Sequence, residues 1–195
     1  MSETEIIKKV RDILNEHGGD DAVSIGTDRV LLEDYIKSAI PDAVVMLAQK
    51  GYAVNVGTKI FTVSGMAETA VEGFVSFLEA RSSGWRKMIT ALTPTDSPEY
   101  KMAQNTYTAP GPHSPIAWME RGAKSTFHFL PFPDTGITMI YNKVYAGSVD
   151  AEPKEAAAVC YMTAALVLGM FGDDNGKQRL SDISMNMLQY DGIHH

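Results

Sequence analysis

The 195-residue sequence holds one cysteine, Cys160. One thiol cannot form an internal disulfide or a multi-cysteine metal site, so a stapled secreted scaffold is excluded and a cytoplasmic folding compartment is expected. Positive charge is scarce too. Seventeen Lys and Arg stand against 24 Asp and Glu, a net charge of −7, whereas a protein that grips DNA or RNA clusters cations against phosphate. Long apolar runs are missing. The opening MSETEIIKKVRDI is polar and acidic, which reads against a secretory signal, and the most apolar stretch, Ala156 to Phe171, is short for a bilayer and carries Tyr, Thr and Gly. No membrane is expected among the partners. Catalytic signatures are lacking as well: there is no GxxxxGK[ST], no GxGxxG after a strand, no HExxH, no GxSxG and no CxxC. No enzyme class and no cofactor is supported.

What is present is unevenly distributed. Residues 1–50 carry 6 basic and 10 acidic groups, 51–100 carry 4 and 5, 101–150 carry 4 and 3, and 151–195 carry 3 and 6. The acid therefore sits at the two ends, where helical periodicity also lies. A first helix is expected from Thr4 to Glu16, with Ile6, Val10, Ile13 and Leu14 on one face and Ser2 and Glu5 at capping-box spacing. A second should start with Thr27 or Asp28 as N-cap and carry Leu31, Leu32, Tyr35, Ile36 and Ile40. Pro41 is expected to break or restart it, with Asp42 to Lys50 as a further piece closed by Gly51.

From Tyr52 the texture changes to short β-branched and aromatic runs: Ala53 to Val56, Lys59 to Val63, Gly73 to Glu79, Lys87 to Leu92, Ile116 to Glu120, Thr126 to Leu130 and Ile137 to Val144. Met66 to Ala80 fits both periods, and strand is favoured for its second half. Between the runs lie TPTDSPEY, YTAPGPHSP and LPFPDTG, whose prolines resist both helix and ladder and predict loops. The C-terminal block returns to helix. Glu152 and Glu155 flank Pro153 in a first turn, five alanines allow close approach along a central core helix, and Leu180, Ile183, Met187 and Leu188 mark a last amphipathic helix. The expected fold class is α+β: helices at residues 1–51 and 151–195 form one helical bundle, and residues 52–150 form a β-rich, sandwich-like insert. Eleven methionines suit irregular cores and contact surfaces.

Single residues offer little chemistry. His194 and His195 close the sequence, leaving His17, His113 and His128. Alternation sets His128 opposite Phe127 and Phe129, as a solvent-facing or satisfied strand histidine. His113 has Ser114 beside it, but triad members converge from separate elements, so the pair reads as loop. Cys160, inside an alanine-rich helix, reads as a small core hydrophobe. Asp173-Asp174-Asn175-Gly176 fails calcium-loop spacing and reads as a helix–helix turn.

The distinctive stretch is Trp85-Arg86, followed by Ser97-Pro98-Glu99-Tyr100, Gln104-Asn105, Tyr107-Thr108 and Pro115-Ile116-Ala117. It resembles the structural ring proteins of crAss-like bacteriophages of Bacteroidetes. The helices–insert–helices order resembles the wider family of head-to-tail connectors, or portal adaptors. Ser82-Ser83-Gly84 departs from the acidic pair that the family pattern places before the tryptophan. The resemblance implies a virion structural protein at the head–tail junction, assembled in the host bacterial cytoplasm. It would form a homo-oligomeric ring of about twelve copies on the portal protein, extend the DNA channel and give the next tail ring a platform. Double-stranded DNA would pass without specific binding, since an acidic lining repels phosphate. The implied interface loops carry Trp85, Pro98, Tyr100, Gln104, Tyr107, His113, Pro115 and Trp118. Two other readings compete: a β-sandwich binding module showing Tyr107, His113, Trp118 and Phe132 to a carbohydrate or peptide, and a small hydrolase using His113 or His128.

Overall fold

The structure, a computed structural model, describes residues 1–17, 29–62, 69–105, 107–121 and 125–189. Helices and antiparallel strand pairs both occur, so the class is mixed α+β. By chain contacts the molecule divides into two compact units, residues 1–56 with 144–195, and Gly57–Lys143. The second unit is shorter at both ends than the span 52–150.

In the first unit, α1 (Glu3–His17) starts with a reciprocal cap. The Ser2 N–H donates to Glu5 Oε2 at 2.8 Å, and the Glu5 N–H donates to Ser2 Oγ at 3.4 Å. Ile6, Ile7, Val10 and Ile13 form its buried face. The helix α2 (Arg29–Gln49) runs unbroken through Pro41, a correction to the expected break. Proline costs a helix about 3 kcal/mol. Here Ile36, Ala39 and Ile40 before it and Ala43, Val44, Leu47 and Ala48 after it are all fully buried. Each large apolar side chain contributes about 1.5–3 kcal/mol on burial, so packing on both sides of Pro41 outweighs its cost. The expected N-caps Thr27 and Asp28 lie outside the described residues.

The helix α4 (Pro153–Met170) packs against α1, α2 and α5 (Asp174–Gln189). Ten of its residues are buried, Cys160 among them. It ends at Gly172, whose φ of +81° lets the Asp173 and Gly172 N–H groups donate back to the Leu168 and Gly169 carbonyls. Asp173 at once caps the next helix, its Oδ1 accepting from the Gly176 N–H at 2.8 Å. The acidic turn is thus one helix stop joined to one helix start. Buried Ser184 donates to the Ala158 carbonyl, and Asn55 is likewise fully buried. Its amide bonds the Val144 carbonyl and the Asp150 N–H, which holds the outgoing and returning chain to the helical unit.

The second unit contains two three-stranded sheets, with orders β1-β6-β3 and β2-β5-β4. The strands are β1 (Val56–Phe61), β2 (Thr69–Val71), β3 (Phe74–Arg81), β4 (Ile116–Arg121), β5 (Ser125–Leu130) and β6 (Ile137–Lys143). One apolar cluster draws from all six strands, through Phe61, Val71, Ala80, Ala117, Phe127, Phe129, Ile137 and Met139. Phe61 meets Phe129 with centroids 5.1 Å apart and Phe74 meets Phe127 at 4.9 Å, so the rings pack from one sheet to the other. Two register irregularities in β3, at Phe74/Ser76 and Phe77/Glu79, disturb its alternation and explain why Met66 to Ala80 fits two periods.

The expected strands Ala53 to Val56 and Lys87 to Leu92 are not strands. Only Val56 of the first belongs to β1. In the second, Ile89 exchanges both backbone bonds with Ala80 of β3, yet four residues on the Thr93 N–H donates to the Ala117 carbonyl of β4. A segment that must cross from one sheet edge to the other can ladder with neither.

Candidate functional site

In the β unit, several distinct bonds tie down the stretch that starts at Ser82. Ser82 Oγ donates to the Gly136 carbonyl at 2.6 Å, and the Arg86 N–H donates to the Pro112 carbonyl at 2.9 Å. Between them Gly84 lies so close to residue 133 that an added Cβ would sit 2.7 Å from Pro133 Cβ. That close approach brings Trp85 Nε1 within 2.9 Å of the Pro131 carbonyl, to which it donates. A glycine at position 84 is therefore what this packing requires.

Farther along, Ser97 caps the short helix α3 (Pro98–Ala103) by accepting from the Tyr100 N–H, with Pro98 in the first turn. Gln104 closes it. Asn105 Oδ1 accepts from the Tyr107 N–H, and Thr108 Oγ1 donates back to the Met102 carbonyl. The turn is tied at both ends, and it leaves Tyr107 97% exposed.

The fold separates the eight residues implied by the resemblance. Trp85 and Trp118 are buried, at 7% and 6% exposure, a correction to their assignment as loop residues offered to a partner. Trp85 joins the inter-sheet cluster, and Trp118 lies on the opposite face of β4 from Ala117. Tyr100 and Pro115 are half-buried, whereas Pro98 at the helix start, Gln104, Tyr107 and His113 are exposed. Of the four aromatic groups of the binding-module reading, Tyr107 and His113 face outward while Trp118 is buried and Phe132 packs against the core.

Beneath α3 lies a stack that sequence alternation alone does not reveal. Tyr100 meets Trp118 edge-on, with centroids 5.4 Å apart and planes at 78°. His128, 7% exposed, lies parallel to Trp118. It is neither solvent-facing nor satisfied, a correction to the expected state: Trp118 Nε1 and both His128 ring nitrogens are buried without a hydrogen-bond partner. The nearest acid, Glu120, holds Oε1 3.6 Å from His128 Nε2, too far for a hydrogen bond. The cross-strand pairing of Trp118 with His128 in the β4–β5 ladder produces this stack.

Elsewhere, His17 lies at the end of α1 with its ring 6.2 Å from that of Tyr161. Among the described residues no group of three His, Cys, Asp or Glu could hold a metal ion, and no helix is long and apolar enough to cross a membrane. His194 and His195 lie outside the described residues. No protein-family model matches the chain, and no curated protein matches it.

Proposed function

We propose that the chain is a virion structural protein of the head–tail junction, a ring component seated on the portal. In this reading the two chain ends complete one helical bundle, and Gly57–Lys143 is its sandwich-like insert. The observation that carries the proposal is the partition of charge between the units. The helical unit holds 9 of the 17 basic and 17 of the 24 acidic residues, net −8, and the β unit holds the other 8 and 7, net +1. An acidic helical unit suits a lumen through which DNA slides, because like charge keeps phosphates from settling. A near-neutral unit with tied, tyrosine-bearing loops suits contacts between subunits, where aromatic residues are enriched and charge is depleted.

Mass spectrometry of purified particles tests the reading directly. The chain should be a stoichiometric virion component, and electron microscopy should place it as a ring below the portal. A chain absent from particles, and monomeric when mixed with the portal protein, overturns it.

A further inference from the structure

The helical unit presents an aromatic pair at its surface. Tyr35 of α2 and Phe171, which follows α4, meet edge-on with centroids 5.0 Å apart, yet they remain 41% and 37% exposed. Met170 beside Phe171 is 48% exposed, and Met46 stands exposed three helical turns from Tyr35 on the same side of α2. Such rings pack well with one another and still present apolar surface to water, the composition found where a partner inserts a side chain. The charged groups of these segments are mostly acidic. Asp34, Asp42 and Asp174 are exposed and Asp173 is half-buried, while Lys37 is engaged by Glu33 and Lys177 lies against Gly169.

The β unit carries the complement. Tyr107 stands clear of its tied turn, Met102 in the same turn is 54% exposed, and Lys101 precedes it. Arg86 and Lys87 are exposed on the neighbouring segment, joined to residue 112 by the Arg86 N–H. Asp96 and Glu99 belong to the other end of this loop, where the start of α3 favours carboxylates.

Resting on the ring reading, we propose that the Tyr35–Phe171 surface is the socket for the Met102 and Tyr107 side chains of the adjacent copy. The occupant is a second copy of this chain. The two patches differ in charge and lie on different units of the chain, so the contact is heterologous. A contact of that kind builds a ring where its rotation closes, whereas a patch facing itself stops at a dimer. Cationic flanks on the turn meet carboxylates around the socket and select this pairing over turn-to-turn contact.

Cys160 is buried and is the sole cysteine, which permits a clean test with Tyr107→Cys and Ser38→Cys. Ser38 is exposed one turn beyond Tyr35 on α2. Each full-length variant alone, and an equimolar mixture, is treated with a short bis-maleimide at high protein concentration. The mixture should give a dimer containing one chain of each kind, and neither variant alone should link. The yield should fall severalfold in about 1 M salt, where the screening length is about 3 Å. Linking of Tyr107→Cys to itself overturns the pairing in favour of a two-fold contact, and a salt-insensitive yield overturns the charge argument. If the chain forms rings in particles and the mixed pair does not link, the pairing is wrong and the ring reading stands. If it is absent from particles, the ring reading falls by itself. A particle cross-link from Ser38→Cys to the portal protein alone gives the socket to the portal and overturns the proposal.

Discussion

His128 lies flat on Trp118, with ring centroids 4.9 Å apart and planes 6° from parallel, and neither ring has a partner for its buried nitrogens. Dispersion and apolar burial hold the pair together while three polar atoms go unsatisfied. Such atoms cost about 1–3 kcal/mol each when buried without a partner.

Replacing His128 with Phe keeps the stacked ring and removes two of those atoms. Glu120 stays largely solvated, its side chain 61% exposed, so losing the imidazole costs it little. We expect His128→Phe to raise stability by about 1 kcal/mol, read as a higher urea midpoint at unchanged slope. A lower midpoint would show that the nitrogens are satisfied by water.

Gly84→Ala puts a methyl group 2.7 Å from Pro133 Cβ. The loop must back away, and the bond from Trp85 Nε1 to the Pro131 carbonyl lengthens or breaks. The expected loss is about 1–3 kcal/mol, with a red shift in tryptophan emission as Trp85 gains water. An unshifted spectrum at wild-type stability would mean that residues 131–135 yield freely.

Asp173→Ala removes the side chain that caps α5. The Gly176 N–H then loses its acceptor, and stability should drop by about 1 kcal/mol. Asp173→Asn, which keeps an acceptor oxygen, should recover most of the loss in the same thermal melts. Equal losses in the two variants would assign the effect to charge at the helix start rather than to the cap.

Alkaline pH should loosen the helical unit. Burial pushes the Cys160 thiol up to about 11, above the ordinary thiol range. Burial and the hydrogen bond to Glu3 raise the Tyr145 hydroxyl in the same direction. Both groups are neutral when protonated, and the unfolded chain loses their protons first. Their contribution to stability is therefore complete below about pH 9 and declines as pH rises toward 11. A thiol reagent should leave native Cys160 unmodified at pH 8 and react fully in denaturant. Rapid reaction in the native state would contradict the burial.

Legibility followed the range of the interactions. Ser2 and Glu5 sit three residues apart, and their mutual cap needs nothing beyond α1. The faces of α1 and α5 and the Pro153 start of α4 are local in the same sense. Pro41 misleads because the groups that pack against α2 on both sides of it are on other helices. Lys87 to Leu92 has strand composition, but its course is set by Ala80 and Ala117, in two different sheets. The two tryptophans mislead for a related reason, since nothing within a few residues of Trp85 or Trp118 indicates what will cover them.

By itself the sequence determined the kinds of elements at each chain end, the lack of any thiol framework, and the concentration of acid in the helices, because each depends on composition or on spacing of a few residues. The tertiary structure alone decided that α2 continues through Pro41, that Trp85 and Trp118 turn inward while Tyr107 stays out, and that His128 is buried without a partner. Burial is a property of what packs over a residue, and here the covering groups come from distant parts of the chain.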